Sequence, residues 1–133
     1  MAVKRSIKRV LNGLVERAKK DRRILAVILF GSVARRQARQ DSDTDICLVL
    51  EEGSYTPLQL SRVKLEYARD LDQDIQIFQQ LPLYIRKRVL AEGVILYSAD
   101  SDRLYEAAFA FIRDYAHYEH IYRDYLEEVA RAG

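Results

Sequence analysis

The sequence predicts an α+β (α/β) fold: a small β-sheet packed with helices and followed by a long C-terminal helix. Three observations predict it. Two apolar runs, Ile24–Phe30 and Ile46–Leu50, have strand length and are separated by turn-forming residues. Helical periodicity stands on both sides of them, over residues 3–20 and again over a seam from Leu104 to Val129. The chain of 133 residues, 49% apolar and 32% charged, has the material for one core, so a single domain over 1–133 is expected.

The elements follow in order. Val3, Ile7, Val10, Leu14 and Ala18 recur at three- and four-residue steps, giving an amphipathic helix over 3–20. Ile24–Phe30 is apolar throughout, the pattern of a strand buried on both faces. Gly31-Ser32 stops it, Val33–Ala38 reads as a short helix, and Asp41-Ser42-Asp43 as a turn. Asp45–Leu50 is a second strand, and residues 51–54 form a loop. Thr56-Pro57-Leu58-Gln59 combines a capping residue, proline at the first helical position and a capping-box glutamine. That helix is expected to reach Leu71, with Leu60, Val63, Tyr67 and Leu71 inward. Asp74–Phe78 alternates polar and apolar, a third strand. Pro82 opens and Gly93 closes another helix, Val94–Tyr97 is a short fourth strand, and Ser98–Ser101 supplies caps for a final helix to about Arg131.

Composition narrows the function classes. No apolar stretch approaches the roughly 20 residues that span a bilayer, and the basic start runs into an amphipathic pattern with no apolar signal core. Cys47 is the one cysteine, so neither a disulfide framework nor a cysteine-based zinc site is expected; a cytoplasmic protein is. The net charge of +2 is unevenly spread: residues 1–39 hold twelve Lys/Arg against Glu16 and Asp21, a net of +10, and the remainder carries −8. A basic first third suits a phosphate-bearing ligand or an acidic partner, although a solvated basic helix face gives the same count.

The chemistry concentrates in residues 30–45 and at Asp74. Gly31 lets backbone approach a ligand closely, and Ser32 stands where helix N–H groups attract anions. Arg35 and Arg36 follow on the same short helix, completing a phosphate-holding set. Asp43 and Asp45, two apart at the opening of a strand, present carboxylates to one side. Asp74 opens the third strand, where its side chain could face the same way; Asp72 is the neighbouring candidate, and Asp74 is preferred because it directly precedes Ile75-Gln76-Ile77-Phe78. Carboxylates about 4 Å apart near a protein surface repel by roughly 4 kcal/mol. Their clustering makes sense with a divalent cation, and a pair of metal ions can clamp an in-line displacement at phosphorus. Each piece alone is weak, since Gly-Ser is usually a turn and Asp-x-Asp usually a polar loop; the ordered set is the signal.

Gly31-Ser32, ten intervening residues, then Asp43-x-Asp45 resembles the signature of the polymerase-beta-like nucleotidyltransferases. The surrounding Phe-Gly-Ser-Val-Ala-Arg and Ser-Asp-Thr-Asp resemble their smallest branch, the minimal nucleotidyltransferases (MNT). The resemblance implies the fold of that superfamily, with a catalytic core at about 1–97 and a C-terminal helix at about 98–131. It implies that Gly31, Ser32, Arg35 and Arg36 hold the phosphates of ATP, and that Asp43, Asp45 and Asp74 bind Mg2+, two ions by analogy, with Asp74 helping to activate the attacking hydroxyl. Arg36 stands where this branch often has glycine. The branch further implies an antitoxin that transfers AMP to a tyrosine of a small helical HEPN partner; the alternative is a non-catalytic antitoxin or nucleotide-binding subunit acting by contact.

Leu104, Ala108, Phe111, Tyr115, Tyr118, Tyr122, Tyr125 and Val129 are spaced 4-3-4-3-4-3-4, a sustained heptad seam. A helix from about Ser101 to Arg131 is about 45 Å long, against a radius of gyration of about 14 Å for a compact domain of this size. The seam is therefore expected to outrun the core, leaving Tyr115, Tyr118, Tyr122 and Tyr125 for a HEPN-type partner or for self-association in a homo-oligomer; neither nucleic acid nor a membrane is expected as partner. His117 and His120 are read as solvated, and the likeness of Arg113, His120 and Tyr122 to a HEPN nuclease motif is set aside because the preceding chain belongs to another fold.

Overall fold

A computed structural model of the protein describes residues 2–31, 45–69 and 74–132, with the side chains of α1 described from residue 8. The elements are α1 (Ala2–Lys19), β1 (Ile24–Phe30), β2 (Asp45–Leu50), α2 (Pro57–Ala68), β3 (Asp74–Ile77), α3 (Leu83–Glu92), β4 (Val94–Ser98) and α4 (Ser101–Ala132). Thr56 caps α2 as its sequence requires: the Gln59 amide N–H donates to Thr56 Oγ1 at 3.1 Å, and the Thr56 N–H donates to Gln59 Oε1 at 2.9 Å.

The sheet has the order β3-β2-β1-β4. β1 is antiparallel to both β2 and β4, and β2 is parallel to β3, so the sheet is mixed. Because side chains alternate along a strand, two cores form on its two faces. On one face α1 and α2 cover Ile46, Leu48, Leu50, Ile75 and Ile77 with Leu14, Ala18, Leu60, Val63 and Tyr67. On the other, α3 and α4 cover Ala26, Ile28, Cys47 and Val49 with Val89 and Leu104. Burial on both faces explains why β1 is apolar without interruption.

Polar groups that enter the first core are matched. Tyr67 is fully buried, and its hydroxyl donates to Asp21 Oδ2 at 2.8 Å. Arg23 binds the same carboxylate through Nε (2.9 Å) and Nη2 (2.8 Å), then reaches Glu66 Oε2 at 2.8 Å. The Arg17 guanidinium lies 4.2 Å from the centre of the Tyr67 ring.

Some boundaries differ from the sequence expectation, by one residue at α1 and β4 and more tellingly at β3 and α2. Phe78 does not extend the third strand; β3 ends at Ile77, and Phe78–Gln80 form a single 3-10 turn. The reason lies in Gln79, whose side-chain amide takes over the backbone of the neighbouring strand, donating to Leu50 O at 3.0 Å and accepting from Leu50 N at 3.3 Å. α2 ends at Ala68 with Arg69 as its cap, before Leu71, which lies outside the described residues. So do the expected helix over Val33–Ala38 and the turn at Asp41–Asp43.

α4 runs for 32 residues, and Leu104 is its one buried residue. Phe111 packs edge-on against Phe78, with ring centres 6.0 Å apart. Lys87 of α3 then holds the helix once more, with Nζ 3.0 Å from Glu119 and 4.9 Å from the Tyr115 ring centre. From residue 120 onward every described residue of α4 is exposed. No helix among the described residues is long and apolar enough to cross a membrane.

Candidate active site

The site lies where three strands end together. β1 finishes at Phe30, β2 begins at Asp45 and β3 begins at Asp74. Phe30 is the register partner of Asp45 across the antiparallel pair, and Asp45 is the register partner of Asp74 across the parallel pair. Neighbouring strands lie about 4.8 Å apart, so two carboxylates project side by side from one edge of the sheet. Alternation places both on the face that carries Cys47 and Gln76.

Gly31 follows directly and takes φ = +88°, a conformation open to glycine at little cost. A Cβ at this position would collide with the Asp45 carboxylate. The glycine therefore serves two needs: it turns the chain out of β1, and it leaves room for a charged group beside the strand end.

Asp45 is partly buried and Asp74 is exposed. Gln76 Nε2 donates to Asp74 Oδ1 at 2.9 Å, and Lys64 Nζ reaches Gln76 Oε1 at 3.5 Å, so the carboxylate is oriented from its own strand and from α2. Cys47, next on the same face, is no candidate nucleophile: burial pushes its thiol up to about 12.

Above this strand end lies a cavity of about 130 Å³, lined by Phe30, Gly31, Asp45, Ile85, Arg88 and Glu92. The sequence reading did not single out Ile85, Arg88 or Glu92. The signal was nevertheless present. α3 ends one residue before β4, and Val94 pairs with Leu29, so the C-terminal end of α3 has to sit at the end of β1. Gly93 makes that approach close enough, because a Cβ there would strike Ile28 and the Val89 carbonyl.

Of the residues expected at the site, Gly31, Asp45 and Asp74 are brought together; Ser32, Arg35, Arg36 and Asp43 lie outside the described residues. Among the described residues no three metal-ligating side chains form a cluster. The residues present nevertheless suit magnesium. Two oxygen-donor carboxylates stand on adjacent strands in register, and the missing Cβ of Gly31 leaves a cradle beside one of them.

Comparison with known proteins gives the family and the fold. Residues 12–102 match the family model of the polymerase beta nucleotidyltransferases, which takes in β1, Gly31, Asp45 and Asp74. The chain belongs to this family. It is 30% identical over 76 residues to a Methanocaldococcus jannaschii protein that carries the provisional name of protein adenylyltransferase. That match takes in 56% of the chain and 57% of its relative, so the chain aligns with little more than half the relative's length. Among solved structures, a chain of a toxin–antitoxin complex with AMP-PNP superposes with a TM-score of 0.63 at 21% identity, over 90% of this chain and 97% of the other. A chain from the complex of a tri-AMPylated Shewanella oneidensis HEPN toxin with its MNT antitoxin superposes with a TM-score of 0.63 at 17% identity, over 92% and 97%. At those identities the likeness establishes the fold.

Proposed function

We propose that the protein transfers AMP from ATP to a hydroxyl acceptor in the presence of magnesium, and that the acceptor is a tyrosine of a HEPN-type partner for which this chain is the antitoxin. The observation that carries the reading is the pairing of Asp45 with Asp74 next to Gly31. Two like charges at adjacent strand ends repel one another, and a nucleotidyltransferase has a use for them.

In this reading Asp43, Asp45 and Asp74 hold Mg2+, two ions, and Gly31, Ser32, Arg35 and Arg36 hold the triphosphate. Bound magnesium would neutralise the carboxylates and the phosphate oxygens. The acceptor oxygen forms a bond to the α-phosphorus, the bond from that phosphorus to the bridging oxygen breaks, and pyrophosphate leaves. Asp74, the more exposed carboxylate and held by Gln76, would receive the acceptor's proton. ATP as the nucleotide and HEPN as the partner class are supported by the fold shared with the complexes named above. The exposed tyrosines of α4 supply the contact surface, so the unit divides into a catalytic core at about 1–97 and a partner-binding helix. A cytoplasmic location goes with the use of ATP.

Mass spectrometry tests this. A HEPN protein encoded beside the gene, incubated with the chain, ATP and magnesium, should gain AMP on tyrosine. The Asp43→Asn, Asp45→Asn double variant should leave it unmodified while melting no lower than wild type. Equal modification by both would remove the assignment, and neutralisation without any modification would favour inhibition by contact.

A further inference from the structure

We infer that Arg88 of α3 contacts the nucleotide's phosphates from the side of the cleft opposite Gly31, an inference that rests on the nucleotidyltransferase reading. α3 carries three successive cations, Arg86, Lys87 and Arg88, and they go to three different places. Arg86 turns inward, its Nε donating to Leu81 O at 2.8 Å and its Nη2 to Gln79 O at 2.6 Å, so it ties the helix start to the turn after β3. Lys87 faces α4, pairing with Glu119 and lying over Tyr115. Both have structural work.

Arg88 points elsewhere, into the lining of the cavity that Gly31 and Asp45 also line. Its ion pair is with Glu92, one helical turn on, at 3.7 Å, with half of each side chain exposed. That separation is longer than an N–H···O hydrogen bond, and exposed pairs at this spacing contribute little to stability. The fold thus has slight need of Arg88 where it stands.

The cavity has more use for it. Among the described residues lining it, Arg88 is the one cation, set against the carboxylates of Asp45 and Glu92, with Phe30 and Ile85 as apolar walls. A polyanionic ligand entering beside Asp45 brings further negative charge, and a guanidinium across the cleft offsets it with directed donors. Gly31 and Asp45 line the cavity from the strand ends and Arg88 lines it from α3, so the phosphates would be held from two sides.

Calorimetric titration of the full-length protein with ATP and magnesium tests this, using wild type, Arg88→Ala, Arg88→Gln, Arg88→Lys and, as a remote control, Arg113→Ala on an exposed turn of α4. Arg88→Ala and Arg88→Gln should each weaken ATP binding about tenfold or more, the scale of a charge-assisted hydrogen bond to phosphate. Arg88→Lys should recover most of the affinity, Arg113→Ala should bind like wild type, and all melting points should stay close together. The same variants titrated with adenosine should show no difference from one another. Unchanged ATP affinity in Arg88→Gln overturns the inference, as does an equal loss in Arg113→Ala, or a loss matched by a lowered melting point and not repaired by lysine. Absence of ATP binding by wild type would instead overturn the nucleotidyltransferase reading itself.

Discussion

The two faces of the sheet treat the same residue types in opposite ways. On the α1–α2 face, Asp21 is an acid closed off by its surroundings: Arg23 binds it twice and the buried Tyr67 hydroxyl donates to it. On the α3–α4 face, Asp45 stands in register with another carboxylate, and the side-chain donor on Asp74 is an uncharged glutamine. Tyrosine shows the same divide. Tyr67 is 0% exposed with its hydroxyl matched, whereas Tyr118 and Tyr122 are 49% and 51% exposed and stack on one another with ring centres 6.1 Å apart. One face matches its polar groups within the chain. The other carries the groups that the proposed reading assigns to magnesium, nucleotide and partner.

The largest effect should come from Gly31→Ala. The new methyl group would occupy the position of the Asp45 carboxylate, and alanine at φ = +88° adds strain of about 1–2 kcal/mol. Asp45 can relieve the clash by swinging aside, so the chain should fold with a modestly lowered melting point and lose nucleotidyl transfer to background. Transfer assays read beside thermal melts check it. Wild-type activity in this variant would mean that the close contact of Gly31 and Asp45 is incidental, and the contrast between the faces would fail at its most specific point.

The α1–α2 face should respond to pH. Hydrogen bonds from Arg23, more than any other contact, hold the Asp21 carboxyl down at about 2 in the folded protein, against 3.8 unperturbed. A depressed folded-state pKa contributes stability that is complete above the unfolded value and is lost as pH falls from about 4 toward 2. The contribution at neutral pH is at most about 2 kcal/mol, reduced because Arg23 is itself part-exposed. Asp21→Asn should therefore lower the melting point at pH 7 and narrow the gap to wild type below pH 3. A gap as wide at pH 2.5 as at pH 7 would show that shape, and not charge, is what Asp21 supplies.

How much of this was legible in the sequence follows the same divide. The α1–α2 face was readable, since continuous apolar runs, the Thr56 capping box and the inward set Leu60, Val63 and Tyr67 all express local rules that packing respects. Asp74 was readable as the opening of a strand, but only the β2–β3 register sets it opposite Asp45. Phe78 misled because an aromatic residue directly after Ile77 suits a strand, while a long-range hydrogen bond from Gln79 to Leu50 ends the strand. Arg88 was hidden among three adjacent cations whose destinations depend on where α3 crosses the sheet. Local pattern carries little information about such crossings.

The smallest effect on stability, and the sharpest test of the α3–α4 face, should come from the C-terminal tyrosines. The face of α4 that packs Leu104 and Phe111 inward continues through Tyr115, which α3 still holds, to the exposed Tyr118, Tyr122 and Tyr125. Phe78 and Lys87 support the seam as far as Tyr115 and Glu119, and exposed aromatic and apolar side chains follow. Such a stripe suits a facing helix, with tyrosine rings giving apolar contact along their bodies and hydrogen bonds at their tips. Tyr118→Ala with Tyr122→Ala removes rings that the isolated chain leaves half in water, so the cost in stability should stay below about 1 kcal/mol. Association should disappear, whether with a HEPN-type partner or with a second copy. Light scattering during size-exclusion chromatography, run beside thermal melts and ATP titration, separates the cases. A variant that melts far below wild type and still associates would place these tyrosines with Tyr67, as core. A variant that melts and binds ATP like wild type but runs alone would locate the partner surface on the seam.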